Sequence, residues 1–176
     1  MLNLSGFVDL PWRFQASFSV SAYSRPPFLA YVNGVDFNGD GTQEDLLPGS
    51  KVNQFNRGLG KDGLAALVER YNQQFANKRT SGGQTAPFLI LPANYSFNDG
   101  FFTQDLRLSR TFSLGSERVR LVLFGEVFNL LNIANLVGYS GNIANPAQFG
   151  QPGERFNQVF GSGGSRAFQV GMKVGF

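Results

Sequence analysis

The sequence has no cysteine and no histidine among its 176 residues. Without cysteine there is neither a disulfide framework nor thiol chemistry. Without histidine, the Ser-His-Asp triad, most zinc sites and the commonest general base are missing. We therefore expect a protein that is not an enzyme.

Charge and long apolar runs are also scarce. Only 15% of residues are charged, whereas about a quarter is usual for a soluble domain. The net charge of +3 comes from scattered Lys and Arg residues, which disfavours nucleic acid as a partner. No run approaches the ~20 apolar residues of a transmembrane helix.

Phenylalanine and glycine are abundant, with 19 and 22 copies. This composition suits a sheet with one face against lipid, because alternating strands average to neutral hydropathy. The first six residues lack the basic and apolar regions of a secretion signal. Export to an outer membrane needs such a signal, so if the chain is an exported membrane protein, we expect it to be the carboxyl-terminal piece of a longer one.

The last twelve residues alternate between apolar and polar. A period of two predicts a strand with one apolar face, made here by Phe168, Val170, Met172, Val174 and Phe176. A strand of this kind that ends on phenylalanine is typical of the closing strand of an outer-membrane β-barrel. Phe176 is therefore the predicted assembly signal.

The same period predicts four strands, near residues 7–24, 102–114, 118–130 and 165–176. Their apolar faces avoid charge at mid-membrane, where Arg or Lys costs ~2–4 kcal/mol. Gln104 and Arg110 interrupt one face, and Arg110 lies near the strand end, where it can reach lipid headgroups. The polar faces carry Asp105, Arg107, Arg120 and Glu126, which are typical of a hydrated barrel interior or of contacts to a plug. A pore-lining array of acids and bases is the alternative.

The connections alternate in length. A tight turn at Gly115-Ser116-Glu117 lies between two long loops at residues 25–101 and 131–164. Barrels of the outer membrane have short periplasmic turns and long outer loops, so both long loops are predicted to lie outside the cell. The second loop is rich in Gly, Asn and Pro, and we expect it to be turn-prone and mobile.

The first long loop has a predicted helix over residues 61–79. Apolar residues recur there at helical spacing: Leu64, Leu67, Val68, Tyr71 and Phe75. Asp62 is expected to cap the start, and Lys78 and Arg79 to complement the carboxyl end. The fold class is thus all-β, an antiparallel transmembrane barrel segment of about four strands with a short helix in a long outer loop.

One loop has the residue pattern of a calcium site. Residues 36–45 match the D-x-[DN]-x-[DN]-G opening of a calcium loop, with candidate ligands Asp36, Asn38, Asp40, Thr42 and Asp45. The twelfth position, which should be a bidentate Glu, is Leu47, so a standard EF-hand is excluded. Either calcium binds weakly with Asp45 or Glu44 closing the shell, or the segment is a hydrophilic turn without metal. No other cofactor is predicted.

Several of these motifs resemble one family. Residues 105–110 read D-L-R-L-S-R, residues 128–132 read F-N-L-L-N, and the chain ends on Phe176. This order resembles the end of a TonB-dependent receptor barrel. The segment 36–45, followed by Pro48-Gly49 and Asn56-Arg57-Gly58, resembles an outer loop of large members with a carboxypeptidase-regulatory-like amino-terminal domain.

The resemblance implies a 22-stranded barrel in the outer membrane of a Gram-negative cell, filled by a plug. Residues 1–176 would be its carboxyl-terminal part, supplying barrel wall and extracellular loops for substrate uptake. The implied partners are outer-membrane lipid, the barrel assembly machinery, the remainder of the barrel and plug, and TonB through the missing amino-terminal part. Because about four strands cannot close a barrel, the chain is expected to be a receptor fragment.

Two alternatives remain open. One is the end of a porin-like or adhesin barrel, which shares the terminal strand but should lack the F-N-L-L-N run. The other is a soluble calcium-dependent β-sandwich that binds glycan. The second alternative predicts solubility without detergent and calcium-dependent melting.

Overall fold

A computed structural model describes residues 1–115, 119–156 and 163–176. The chain folds as two compact units. The first, called the sheet unit here, consists of Met1–Ser24, Gly100–Leu136 and Glu154–Phe176. The second, called the loop unit, consists of Arg25–Asp99 and Val137–Gly153. Most of the two predicted outer loops therefore lies in one compact body of its own.

The described residues form nine strands, one α-helix and one 3₁₀ turn. In chain order these are β1 (Leu2–Leu10), the 3₁₀ turn (Pro11–Arg13), β2 (Phe14–Tyr23), β3 (Tyr31–Asn33), β4 (Glu44–Leu46), α1 (Lys61–Gln74), β5 (Phe101–Leu114), β6 (Val119–Phe128), β7 (Leu136–Val137), β8 (Glu154–Arg155) and β9 (Ala167–Gly175). Five of them form an antiparallel sheet in the order β1-β2-β5-β6-β9. β3 pairs with β4, and β7 pairs with β8, as two short ribbons.

The sheet has five strands, which corrects the prediction of about four. The segment predicted as one strand near residues 7–24 contains a chain reversal at Pro11–Arg13, so β1 precedes β2. Trp12 and Arg13 have φ values of 59° and 61°, the left-handed region in which a chain turns back. The period of two continues across this turn through Leu10, Trp12 and Phe14. The sequence pattern therefore predicted one continuous strand instead of two.

The other predicted strands lie close to their expected positions. β5, β6 and β9 match the segments near 102–114, 118–130 and 165–176. The tight turn between β5 and β6 begins at Gly115 with φ 63°, while its residues 116–118 lie outside the described part of the chain. Residues 157–162 of the second predicted outer loop also lie outside it.

The buried apolar side chains that the structure describes all belong to the loop unit. They pack as one cluster: Phe28, Ala30, Val32, Val35, Leu47, Phe55, Leu64, Leu67, Val68, Tyr71, Ala86, Leu89, Phe97, Ile143 and Phe149. Ile143 and Phe149 come from the second loop and are fully buried. The described part of that loop is rich in turns, as predicted, and it also packs into the core, which the sequence analysis did not predict.

Helix α1 is shorter than predicted. It ends at Gln74 rather than near residue 79, because Phe75 is already its C-cap and Asn77 has a φ of 62°. Gly60, not Asp62, occupies the N-cap position. Lys78 does complement the carboxyl end, since its Nζ lies 2.7 Å from the Gln74 carbonyl oxygen.

No helix among the described residues has both the length and the apolar character needed to span a membrane.

Candidate functional site

The register of the sheet puts a continuous apolar surface on one side. One row runs across all five strands, from Gly6 through Phe18, Leu106 and Val127 to Phe168. On β9 this surface is largely exposed, with Val170 at 87% and Met172 at 72%. A large apolar surface open to the outside is expected where lipid covers it. The predicted faces of β2, β5, β6 and β9 are confirmed.

The opposite side of the sheet is polar and concave, with a cavity of about 890 Å³ at the end near the β1–β2 turn. Arg107 and Glu126 are direct cross-strand partners there, with 3.3 Å between Nη1 and Oε1. Arg13 donates from Nη1 to Ser113 Oγ at 2.7 Å. This side therefore has the hydrogen-bonded charges of a surface that faces water or another polar protein segment.

An aromatic ring fills space over a glycine on this polar side. The ring of Phe124 lies so close to Gly171 that a Cβ at that position would be 2.3 Å from the ring. The Arg107 guanidinium carbon lies 3.9 Å from the centre of the same ring. Arg107 is on β5 and Gly171 is on β9, so the ring of Phe124 on β6 contacts both neighbouring strands and links the three.

The F-N-L-L-N run ends β6 through Asn129. This residue is fully buried and has a φ of 49°, so it turns the chain out of the strand. Its Nδ2 donates to the carbonyl oxygens of Ile133 and Gly164, at 2.9 and 2.6 Å, and its Oδ1 accepts from Ile133 N at 3.0 Å. Its backbone N–H donates to Asp105 Oδ1 at 2.9 Å. One side chain thus links the end of β6 to the segment that precedes β9.

Asn135 makes a second link of the same kind, which the sequence analysis missed. Its Oδ1 accepts from Phe102 N at 2.9 Å, and its Nδ2 donates to the carbonyl oxygens of Phe102 and Gly163. Gly163 N in turn donates to the buried hydroxyl of Thr103 at 3.1 Å. Buried polar residues are found in this unit because they satisfy backbone groups at the strand ends.

Gln104 interrupts the apolar face for a structural reason. Its backbone carbonyl accepts from Leu130 N at 2.8 Å, and its Oε1 accepts from Leu131 N at 3.1 Å. Gln104 therefore supplies the acceptors for two backbone N–H groups that follow the end of β6.

The predicted calcium ligands lie in one loop and are held by that loop itself. Asp36 is buried, and its carboxylate accepts from Gly39 N at 2.6 Å and from Gly41 N at 3.0 Å. Asp45 Oδ2 accepts from Phe37 N at 2.6 Å.

The remaining ligand candidates bond one another. Asn38 Oδ1 accepts from Asp40 N, and Asp40 Oδ1 accepts from both the N–H and the hydroxyl of Thr42. The Thr42 hydroxyl, then its N–H, and then Asn38 lower the pKa of Asp40. No cluster of three or more Asp, Glu, His or Cys side chains fit for a metal occurs in residues 1–115, 119–156 and 163–176. Calcium binding stays a prediction.

A shallow groove of about 430 Å³ lies in the loop unit between α1 and the extended segment around Leu89. Asn72 on α1 holds this segment, since its Oδ1 accepts from Leu89 N at 2.9 Å and its Nδ2 donates to Leu89 O at 2.8 Å. Phe88 and Ile90 on either side of Leu89 are 59% and 60% exposed. The residue spacing of α1 did not reveal Asn72, because its partner is far along the chain.

Burial raises the pKa of four tyrosines of the loop unit: Tyr31, Tyr71, Tyr95 and Tyr139. Tyr71 is 1% exposed, its hydroxyl has no hydrogen-bond partner among the described residues, and burial raises its pKa to about 12. Burial, and then the charge of Asp99, raise the pKa of Tyr139. Asp99 also lies 3.9 Å from Arg25.

Phe176, the predicted assembly signal, lies just beyond β9 and is 99% exposed.

A family described as "Outer membrane beta barrel domain" matches residues 3–169. No curated protein and no solved structure gives a match. The match spans both units, and the open antiparallel sheet with its exposed apolar side has the expected character of a membrane-facing barrel wall. The chain therefore belongs to the outer membrane beta barrel domain family, whose members lie in the outer membrane of Gram-negative bacteria.

Proposed function

We propose that the chain supplies barrel wall and extracellular loops of a TonB-dependent receptor that takes up a substrate across the outer membrane. The observation that carries the proposal is the loop unit. Two connections far apart in sequence share one buried core, in which Ile143 and Phe149 of the second loop pack with Phe28 and Phe97 of the first. A receptor needs such an ordered outer body for substrate capture, and the D-L-R-L-S-R and F-N-L-L-N runs support the same family.

The topology supports a place in a larger barrel. β1 and β9 are the edge strands and run in the same direction, because they are separated by three antiparallel strands. Head-to-tail pairing of two copies would therefore bring these edges together in parallel. Because the sheet has five strands, an all-antiparallel barrel with an even number of strands needs an odd number of further strands. An unpaired strand edge is unfavourable in hydrocarbon, so both edges need a partner. We propose that the rest of the receptor supplies those strands.

The polar side of the sheet suggests which partner lies inside. Arg107 is paired with Glu126 and stacked on Phe124, so at this point the surface has fixed hydrogen-bonding groups. A folded plug is the partner that would use them. TonB would contact the plug-bearing part, and the assembly machinery would recognise β9 with Phe176. We propose no catalytic role, since the chain has no His and no Cys.

The porin-like alternative makes a different prediction about conductance. A hydrated pore lined by this same polar side would pass ions steadily, whereas a plugged receptor would not. Protein purified from outer membranes and inserted in planar bilayers should show no steady open channel. Stable ohmic channels would favour the porin-like alternative over the receptor.

Photo-crosslinking tests for the plug directly. A photoreactive residue at Thr111, on the polar side, should trap a protein segment outside residues 1–176. The same residue at Leu108, on the apolar side of the same strand, is the matched control and should trap lipid only. Equal lipid labelling at both positions would contradict an inner plug.

A further inference from the structure

Arg110 is a charged residue on the apolar side of the sheet. It is the cross-strand partner of Phe14 on β2 and of Leu123 on β6, which both belong to that side. Within the part of the chain that the structure describes, Arg110 has no ion pair and donates no hydrogen bond. Arg107 and Arg13, on the polar side, do have protein acceptors. The five N–H donors of Arg110 are thus available to a molecule outside the protein.

Two aromatic rings hold the guanidinium of Arg110 in place. Its Cζ lies 4.9 Å from the centre of the Phe14 ring and 4.8 Å from the centre of the Phe112 ring. Cation–π contacts at such distances restrict the long side chain before any ligand binds. The sheet therefore presents an oriented cation, and an oriented guanidinium matches the oxygens of a phosphate.

The position of Arg110 along the strand corresponds to a membrane interface. Phe14, its partner, directly follows the turn at Pro11–Arg13. Arg110 lies eight positions after Phe102 on the same face, which is about 26 Å along an extended strand. With a strand tilt of about 40°, this is about 20 Å in height, close to the apolar band of a barrel, which is about 25 Å. Measured from Phe102, the other edge of the band therefore lies about 5 Å beyond Arg110, within reach of its long side chain and so of a headgroup phosphate.

The position of Trp12 also corresponds to a membrane interface. It lies in the turn beside Phe14, is 80% exposed and is the single tryptophan of the chain. Indole rings favour the headgroup region of a bilayer, since they combine apolar area with one N–H donor.

We propose that Arg110, held between Phe14 and Phe112, binds the phosphate of a phospholipid headgroup in the leaflet next to the β1–β2 turn. The proposal goes beyond uptake and depends only on the apolar side facing lipid. Short turns face the periplasm in such barrels, so the ligand is a glycerophospholipid of the inner leaflet rather than lipid A of the outer one.

Solid-state NMR can measure the contact. Protein purified from outer membranes, with ¹³C at the arginine Cζ, is reconstituted in phosphatidylethanolamine and phosphatidylglycerol without inorganic phosphate. A bound phosphate would lie about 4 Å from the Arg110 Cζ and would dephase its signal through ³¹P. Arg110→Gln should remove that dephased signal. Arg120→Gln, which removes an exposed arginine from the polar side, should leave it unchanged.

Further arms separate the sources of phosphate and guard against misfolding. Bilayers of a phosphate-free galactolipid should give no dephasing, even with inorganic phosphate in the buffer. Arg110→Lys keeps the charge for assembly and should also lose the Cζ signal. Dephasing that survives both Arg110 variants, that needs inorganic phosphate, or that occurs only with lipid A would overturn the proposal.

A fluorescence measurement distinguishes two outcomes: either Arg110 does not bind a headgroup, or this side of the sheet does not face lipid at all. Phospholipids with brominated acyl chains should quench the fluorescence that is lost in Trp12→Phe. Quenching of Trp12 without dephasing of Arg110 would leave the wall intact and overturn the headgroup site alone. The absence of both signals would show that this side of the sheet does not face lipid.

Discussion

At the scale of single residues, Asn129 and Asn132 form a matched pair. Both adopt a left-handed φ, 49° and 54°. Asn129 is fully buried and holds three backbone groups, whereas the Asn132 side chain makes an exposed bond to Arg155. Replacing each by glycine keeps the backbone conformation and removes only the amide.

We expect Asn129→Gly to lower the free energy of unfolding by about 2–4 kcal/mol, because buried backbone groups lose their partners. Asn132→Gly should lower it by less than about 1 kcal/mol. Urea unfolding of the membrane-reconstituted protein measures both. Equal losses would show that the left-handed backbone, not the amide network, explains the F-N-L-L-N run.

Tyr71 predicts a pH effect. Its pKa is about 12 in the folded protein and about 10 in an unfolded chain, so folding favours the neutral phenol. The buried neutral phenol therefore makes its full contribution to the free energy of unfolding below pH 10. This contribution is lost as the pH rises through 12, and about 2 kcal/mol of it is lost at pH 11.5.

The control for this effect is Tyr71→Phe. Since the hydroxyl has no partner among the described residues, the variant should be at least as stable as the parent at pH 8. It should also lose less stability between pH 8 and pH 11.5, as measured by urea unfolding of the loop unit in the intact protein. A variant with the parent's pH dependence would contradict the burial of the phenol.

At the scale of elements, β9 and β6 depend on the space above Gly171. A methyl group there would meet the Phe124 ring at 2.3 Å, whereas one at Gly175, on the same strand and the same face, would meet nothing within 4 Å. We expect Gly171→Ala to destabilise the sheet by about 1–3 kcal/mol and Gly175→Ala to have little effect.

Heat-modifiable migration on gels reports the folded fraction of these variants. Adding Phe124→Ala to Gly171→Ala should recover part of the loss, because the clash is then removed. If Gly171→Ala and Gly175→Ala behaved alike, the stack of Arg107 on Phe124 could not be what joins the three strands.

The loop at residues 36–45 allows the two roles of Asp36 to be separated. Asp36→Asn leaves one oxygen for two backbone N–H groups, so we expect a loss of about 1–2 kcal/mol in EGTA as well as in calcium. Gln43→Ala, at an exposed neighbour that is not among the candidate ligands, is the control. A loss seen only in calcium would instead establish the metal site.

At the scale of the whole molecule, Phe176 is expected to act in assembly rather than in the stability of the sheet. It lies beyond the last paired residue and is almost fully exposed. Deleting it should lower the amount of heat-modifiable barrel in the outer membrane several-fold, while Phe176→Tyr should assemble like the parent. Normal assembly of the truncated chain would remove the proposed signal.

The sheet unit could be predicted better than the loop unit, because the buried apolar cluster that the structure describes belongs to the loop unit. In the sheet unit, alternation along each strand determines which side chains face outward, so the faces of β5, β6 and β9 could be predicted. The β1–β2 turn was missed because Pro11–Arg13 keeps the alternation. In the loop unit, burial depends on partners far apart in sequence, such as Phe28 with Phe149.

The sequence by itself determined the strand periodicity and the polar and apolar sides of the wall, because these depend on neighbours a few residues apart. Only the tertiary structure decided that residues 25–99 and 137–153 share one core, that Asn135 reaches Phe102 and Gly163, and that Arg110 lies between two rings. These contacts form between segments that the chain brings together, and local spacing holds no information about their pairing.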